Sequence, residues 1–166
     1  MIFSKTNSTT SFLFENNVVK NSNNKVQDLT GENITIKNNV IKNTGILPGM
    51  GKSGVGSRTG MYLNSNNTMV KGNVLDSTGY VPIVFLGDTV VVENNFIDCF
   101  AFVLDDGGGI YTWNSCSNKL FSSNSYVVHG AFKKTRKITG NIVLNGIGAS
   151  EGTLSPNYKA ADGIYL

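Results

Sequence analysis

Charge, cysteine, histidine, proline and long apolar runs are all scarce in this chain, and each scarcity closes off a class of function. Only 15% of residues are charged and the formal net charge is +3. The densest basic run is KKTRK at 133–137, too little positive charge to hold a phosphate backbone, so no nucleic-acid partner is expected. The two cysteines, Cys99 and Cys116, match no zinc-ligand spacing and form no C-x-x-C pair. Their plain reading is as small buried or half-buried side chains. The one histidine, His129 in YVVHGAF, lies in an apolar stretch where a packing or turn role outweighs a catalytic one. No run approaches the ~20 apolar residues of a membrane-spanning helix, and no membrane partner is expected. The opening residues MIFSKTNSTTSFLF lack the charged start, apolar centre and small-residue cleavage site of a secretory leader. No stretch of about eleven residues carries helical periodicity.

What is present is asparagine, glycine and β-branched side chains. The 166 residues include 22 Asn and 19 Gly, with 40% hydrophobic residues. Polar composition with little charge can mean disorder, but this many Val, Ile and Phe point to an ordered β protein. Six segments share one pattern: FLFENNVV (12–19), ITIKNNVI (34–41), TMVKGNVL (68–75), VVVENNFI (90–97), KLFSSNSY (119–126) and RKITGNIV (136–143). Each alternates apolar and polar residues, reaches an Asn, and turns apolar again. The Asn column is Asn17, Asn39, Asn73, Asn95, Asn124 and Asn141, at spacings of 22, 34, 22, 29 and 17. A unit near 22 with insertions explains most of these, the 34 carrying GILPGMGKSGVGSR (45–58) and the 17 a shortened turn. A second column of short strands runs through VQDL (26–29), GMYL (60–63), PIVF (82–85), GIYT (109–112) and GIYL (163–166).

Period-two alternation predicts strands. Two or three short strands in every ~22 residues, joined by tight turns, predict an all-β right-handed parallel β-helix solenoid of about six to seven coils. Ile34, Ile36, Val70, Val92 and Ile138 are expected to line its interior. An Asn in a tight bend tolerates left-handed backbone angles, and stacked Asn amides can bond in a ladder. An antiparallel sandwich would place Asn-Gly or Asp-Gly between its strands, yet none sits at the repeated Asn corner. The expectation is one domain over 1–166, open at its C-terminal end on GIYL, a fragment of a longer helix or a piece whose ends pair with neighbouring subunits.

The units of the form xxIxxNxIxxxxG, with GMYL, DDGGGIYTW (105–113) and ADGIYL (161–166), resemble the right-handed β-helix proteins of the pectate-lyase-like superfamily. The likeness is greatest to large secreted bacterial β-helix proteins with glycosidase or polysaccharide-lyase activity. The resemblance spans about residues 12–166 and implies a polysaccharide partner and a secreted or cell-surface location. It does not choose an activity, because function lives in the site rather than the fold.

Three insertions precede the second strand column, at 45–58, 98–108 and 146–162. Loops at one corner of a repeat rise on one face, the usual place for binding. Asp105, Asp106 and Asp162 are the expected catalytic carboxylates there, with Arg58, Lys52, Tyr111, Trp113 and Tyr158 as substrate-binding groups. Asp106 and Asp162 are expected two coils apart, roughly 10 Å, near the ~6.5–9.5 Å between the carboxyls of inverting glycosidases. A glycosidase needs no metal or cofactor here. A lyase would instead call on Arg58, Lys133, Lys134 or Arg136 as base or clamp, with Ca²⁺ held by the acids. The alternative from another class is a non-catalytic structural, adhesin, phage-fibre or filament module. The glycine runs have their own plain reading as turn chemistry, and GMGKSGVG (49–56) does not fit a phosphate loop.

Overall fold

The computed structural model describes residues 2–9 (backbone only), 11–54, 56–112, 135–149 and 160–166. Among these the chain is all-β, with no helix. The strands in chain order are β1 (Ile2–Thr9), β2 (Phe12–Glu15), β3 (Val18–Ser22), β4 (Gln27–Lys37), β5 (Val40–Thr44), β6 (Met61–Lys71) and β7 (Val74–Thr78). They continue as β8 (Ile83–Phe85), β9 (Val90–Glu93), β10 (Phe96–Phe100), β11 (Gly107–Tyr111), β12 (Arg136–Thr139), β13 (Ile142–Gly146) and β14 (Ala161–Tyr165). They form a nine-stranded and a five-stranded sheet, and every described pairing is parallel. The larger sheet runs β1-β4-β6-β8-β11-β14, with β2 on β4 and β6-β9-β12 alongside; the smaller runs β3-β5-β7-β10-β13. Two parallel sheets with a core between them are compatible with a β-solenoid.

The register follows the repeat. Phe14, Ile36, Val70, Val92 and Ile138 stand in one line across β2, β4, β6, β9 and β12. Val19, Ile41, Leu75, Ile97 and Val143 form the facing line on the smaller sheet. Gln27, Met61, Ile83, Ile110 and Ile164 make a third line, joining the five short strands read from sequence. Ile36, Ile41, Val70, Leu75, Val92 and Ile97 are at most 1% exposed and meet in one core. Identical spacing puts like on like, so each strand adds apolar area to the same interior.

Backbone sterics explain how the chain turns. Asn16, Asn38, Gly72, Asn94 and Gly140, each just before a column Asn, all have φ between 55° and 64°. Asn21, Asn43, Ser77, Cys99 and Asn145, four residues after it, have φ between 52° and 61°. Left-handed angles are tolerated best by Gly and Asn, which is why those types recur at these corners.

Between the corners runs the asparagine ladder. Asn39 Oδ1 accepts from the Asn17 backbone N–H (2.9 Å) and side-chain amide (3.3 Å). Asn39 Nδ2 donates to Asn73 Oδ1 (2.9 Å) and to the Phe14 carbonyl (2.9 Å). Asn73 repeats the pattern on Asn95 and Ile36, and Asn95 on Asn141 and Val70. Asn39 and Asn73 are fully buried and Asn95 nearly so.

The ladder departs from expectation at one step. It passes directly from Asn95 to Asn141, 46 residues on, through 2.9 and 2.8 Å bonds, and β10 pairs with β13 without a strand between. No rung lies between these two residues. Asn124 itself lies outside the described residues. The 46 residues between Asn95 and Asn141 are therefore a single step of the ladder, where the spacing predicts two of 29 and 17.

The interior sets two expectations for stability. Asn73→Ala removes an amide carrying four buried hydrogen bonds and should cost about 3 kcal/mol, against under ~1 kcal/mol for Asn17→Ala at the exposed end, in urea unfolding. Gln27, wholly buried with neither amide atom hydrogen-bonded, stands in line with Met61 and Ile83. Gln27→Met should therefore raise stability by about 1–2 kcal/mol in the same assay.

Candidate functional site

Three connections, 45–60, 101–106 and 147–160, each carry the chain from the smaller sheet (β5, β10 and β13) to the second strand column (β6, β11 and β14). The expected single corner is therefore a feature of the chain path. Residues 101–106 wrap the preceding turn closely, with the Phe102 N–H on the Thr78 carbonyl and the Val103 and Leu104 N–H groups on the Gly79 carbonyl. Asp105 and Asp106 end this wrap, and the 57° φ of Asp106 turns the chain into β11.

The turn sends the two acids to different environments. Asp105 is only 4% exposed, and neither carboxylate oxygen has a hydrogen-bond partner. Asp106 is solvent-exposed. Its carbonyl accepts from the Tyr80 hydroxyl at 2.9 Å, and its N–H donates to the Ala160 carbonyl at 2.9 Å. Asp162 is also exposed, next to Ala161, which packs on the core.

The spacing between Asp106 and Asp162 differs from the two-coil expectation. β11 and β14 are hydrogen-bonded neighbours, with Gly107 opposite Ala161 and Gly108 opposite Asp162. The 54-residue separation of Ile110 and Ile164 is thus a single step with two insertions, before β12 and before β14. One strand spacing and two residues of offset put the two Asp Cα atoms about 8 Å apart.

Aromatic rings gather beside the acids. Tyr111 and Tyr165 stack with centroids 4.9 Å apart and planes 4° from parallel. They occupy matching positions in GIYT and GIYL, as does Tyr62 in GMYL, whose ring lies under Lys25 Nζ at 4.4 Å. Burial, then Asp106, Tyr111 and Asp105, push the Tyr80 hydroxyl up to about 12. Burial, then Tyr165 and Asp106, also raise Tyr111. Tyr165 could have been singled out from its column position; Tyr80 carries no repeat signal.

The glycines of DDGGG serve close packing. Gly107, Gly108 and Gly109 lie within the buried part of β11. A Cβ at Gly107 would meet the Tyr80 ring and Val81 at 2.8 Å, and one at Gly109 would strike Val143.

Of the expected substrate-binding residues that are described, Tyr111 belongs to the tyrosine stack, and Arg58 and Lys52 belong to the 45–58 loop. Arg58 is 8% exposed, and its Nη1 donates to the Gly45 (2.8 Å) and Leu47 (2.7 Å) carbonyls. Its guanidinium thus clamps the 45–58 loop. Lys52 is exposed on that loop. Arg136 spends its guanidinium on the Leu86 and Gly87 carbonyls and the Thr112 hydroxyl, 5.7 Å over the Phe85 ring. Trp113 and Tyr158, with Lys133, Lys134, His129 and Cys116, lie outside the described residues. Among the described residues no group of three or more His, Cys, Asp or Glu side chains could hold a metal ion.

No family model matches the chain, and neither a curated protein nor a solved structure matches it.

The tyrosine cluster makes a prediction about alkaline stability. A folded pKa near 12 against an ordinary 10 favours the neutral phenol in the native state. The resulting stability is complete below about pH 10 and is lost as pH rises through 12. Urea unfolding between pH 9 and 12 should show this decline, and Tyr80→Phe should flatten it.

Proposed function

We propose that the two parallel sheets are walls of a right-handed parallel β-helix of the pectate-lyase-like kind, and that the protein binds and hydrolyses polysaccharide at the Asp106–Asp162 corner. One observation carries this reading: two solvent-facing carboxylates on neighbouring strands stand beside a stacked tyrosine pair. Sugar rings bind through their C–H faces on aromatics and their hydroxyls on carboxylates, so that pairing suits a neutral or weakly charged glycan. The returns of 22 residues and the asparagine ladder support the β-helix.

Hydrolysis needs one carboxyl to protonate the leaving oxygen and another to activate water, held ~6.5–9.5 Å apart when configuration inverts. Cα atoms about 8 Å apart allow that span with little side-chain reorientation. Lyase chemistry has less support. Both described arginines are bound to backbone carbonyls, which leaves neither poised to draw a proton from a uronate. The proposed substrate is a polysaccharide outside the cell or at its surface. The second reading, a non-catalytic surface or assembly module, is favoured by the apolar outer face of the smaller sheet.

Release of reducing ends from a panel of neutral and acidic polysaccharides tests the proposal. Asp106→Asn or Asp162→Asn should each lower turnover by about 10³-fold or more while leaving binding within a few-fold. Tyr165→Ala should weaken binding about tenfold, with Tyr111 losing its partner. Binding without new reducing ends would support the non-catalytic reading, and unsaturated product ends would indicate a lyase.

A further inference from the structure

The outer face of the smaller sheet carries two columns unrelated to the acid corner. One residue after each ladder position come Val18, Val40, Val74, Phe96 and Ile142, in register across β3, β5, β7, β10 and β13. Val18 is 63% exposed, Phe96 37% and Ile142 54%, with Val40 and Val74 half-buried. Five strands at about 4.8 Å make an apolar stripe about 19 Å long. Single exposed apolar residues need no explanation, but an unbroken outward line does.

The next outward column, two residues on, reads Lys20, Lys42, Asp76, Asp98 and Leu144 in the same register. Its four charges run plus, plus, minus, minus, so they are antisymmetric about a point between Lys42 and Asp76. A two-fold axis along the strands at that point, lying in the plane of contact, reverses the rung order while keeping each column over itself. Lys20 of one copy then faces Asp98 of the other, and Lys42 faces Asp76. Val18 meets Phe96, and Val40 meets Val74. The in-chain Lys42–Asp76 pair at 3.0 Å becomes half of a four-charge network. A partner of a single charge sign would be repelled by half of this column; a second copy of the chain satisfies all of it.

We propose that this face is an isologous dimer interface in which two copies pack sheet to sheet with their coil axes antiparallel. Face-to-face sheets pack with nearly aligned strands, as this axis requires. Four rungs overlap about this axis, a face of about 19 by 17 Å that covers roughly 320 Å² per copy, under half of a standard stable interface. The dimer is therefore weak and transient. This inference does not rest on the polysaccharide reading.

Sedimentation equilibrium of the full chain up to about 500 μM, as weak association requires, tests it, with circular dichroism to confirm that each variant is folded. The wild-type chain should dimerise, and Phe96→Lys should weaken association by at least about tenfold. Lys20→Asp and Asp98→Lys should each be monomeric alone, since each sets like charges face to face. Mixed one to one they should dimerise again. The new carboxylate at position 20 of one variant then meets the new ammonium at position 98 of the other, while the native Lys20–Asp98 contact survives on the second side. A wild-type chain that stays monomeric, or one whose association ignores all three substitutions, overturns the proposal. So does failure of the mixture to recover association, or loss of oligosaccharide binding in Phe96→Lys without loss of self-association.

Discussion

The rest of the structure depends on one interaction, the stacking of asparagine amides between successive returns of the chain. A side-chain amide offers two donors and a two-lone-pair acceptor, and each interior ladder residue uses them all. Asn73 takes two hydrogens from Asn39 and gives two, to Asn95 and to the Ile36 carbonyl. Burial of so polar a group is tolerable only with this complete satisfaction. A slip by one residue would orphan every amide in the line and turn each apolar side chain outward. The ladder therefore fixes register more sharply than apolar stacking could alone.

From register the remaining features follow. Left-handed corners fall immediately before and four residues after each ladder position, and these corners divide the two sheets. Outward positions repeat too, so charges meet charges at strand spacing: Glu15 with Lys37 at 3.0 Å, Lys71 with Glu93 at 2.6 Å, Lys42 with Asp76 at 3.0 Å. Exposed pairs of this kind add little stability, and they offset the like charges that also stand side by side in the same columns, Lys37 beside Lys71 and Lys20 beside Lys42. A long insertion separates β11 from β12, but the 45–60, 101–106 and 147–160 connections all enter between the smaller sheet and the second strand column, where no ladder bond is broken. That is why the acids, the tyrosine stack and the 45–58 loop collect on one side.

Much of this was legible in the sequence because a parallel repeat writes each column as a spacing. The strands VQDL, GMYL, PIVF, GIYT and GIYL pair in the register at which they align. The Asn ladder was legible for the same reason. What the spacing concealed was insertion length. A return of 46 residues resembles two coils of 29 and 17, and one of 54 resembles two coils between Asp106 and Asp162; the bonds from Asn95 to Asn141 and the β11–β14 pairing show single steps. Side-chain fate was also hidden. Arg58 and Asp106 hold corner positions alike in sequence, but Arg58 reaches back to its own loop's carbonyls whereas Asp106 faces solvent. Gln27 and Arg136 interrupt largely apolar lines, and only three dimensions show the first without a partner and the second bonded to carbonyls of the β8–β9 connection. The burial of Asp105 beside an exposed Asp106 likewise depends on the left-handed turn between them, which two adjacent acids do not announce.

The central claim is that these amides are donors locked in a continuous buried line. Hydrogen exchange of the asparagine side-chain amides, followed by ¹H–¹⁵N correlation spectra, tests it most directly. The Nδ2 protons of Asn39, Asn73 and Asn95 should exchange only with global unfolding, while those of the exposed Asn21 and Asn64 exchange freely. Equal, rapid exchange across all five residues would contradict the ladder, and with it the register from which the corner and the outer columns are built.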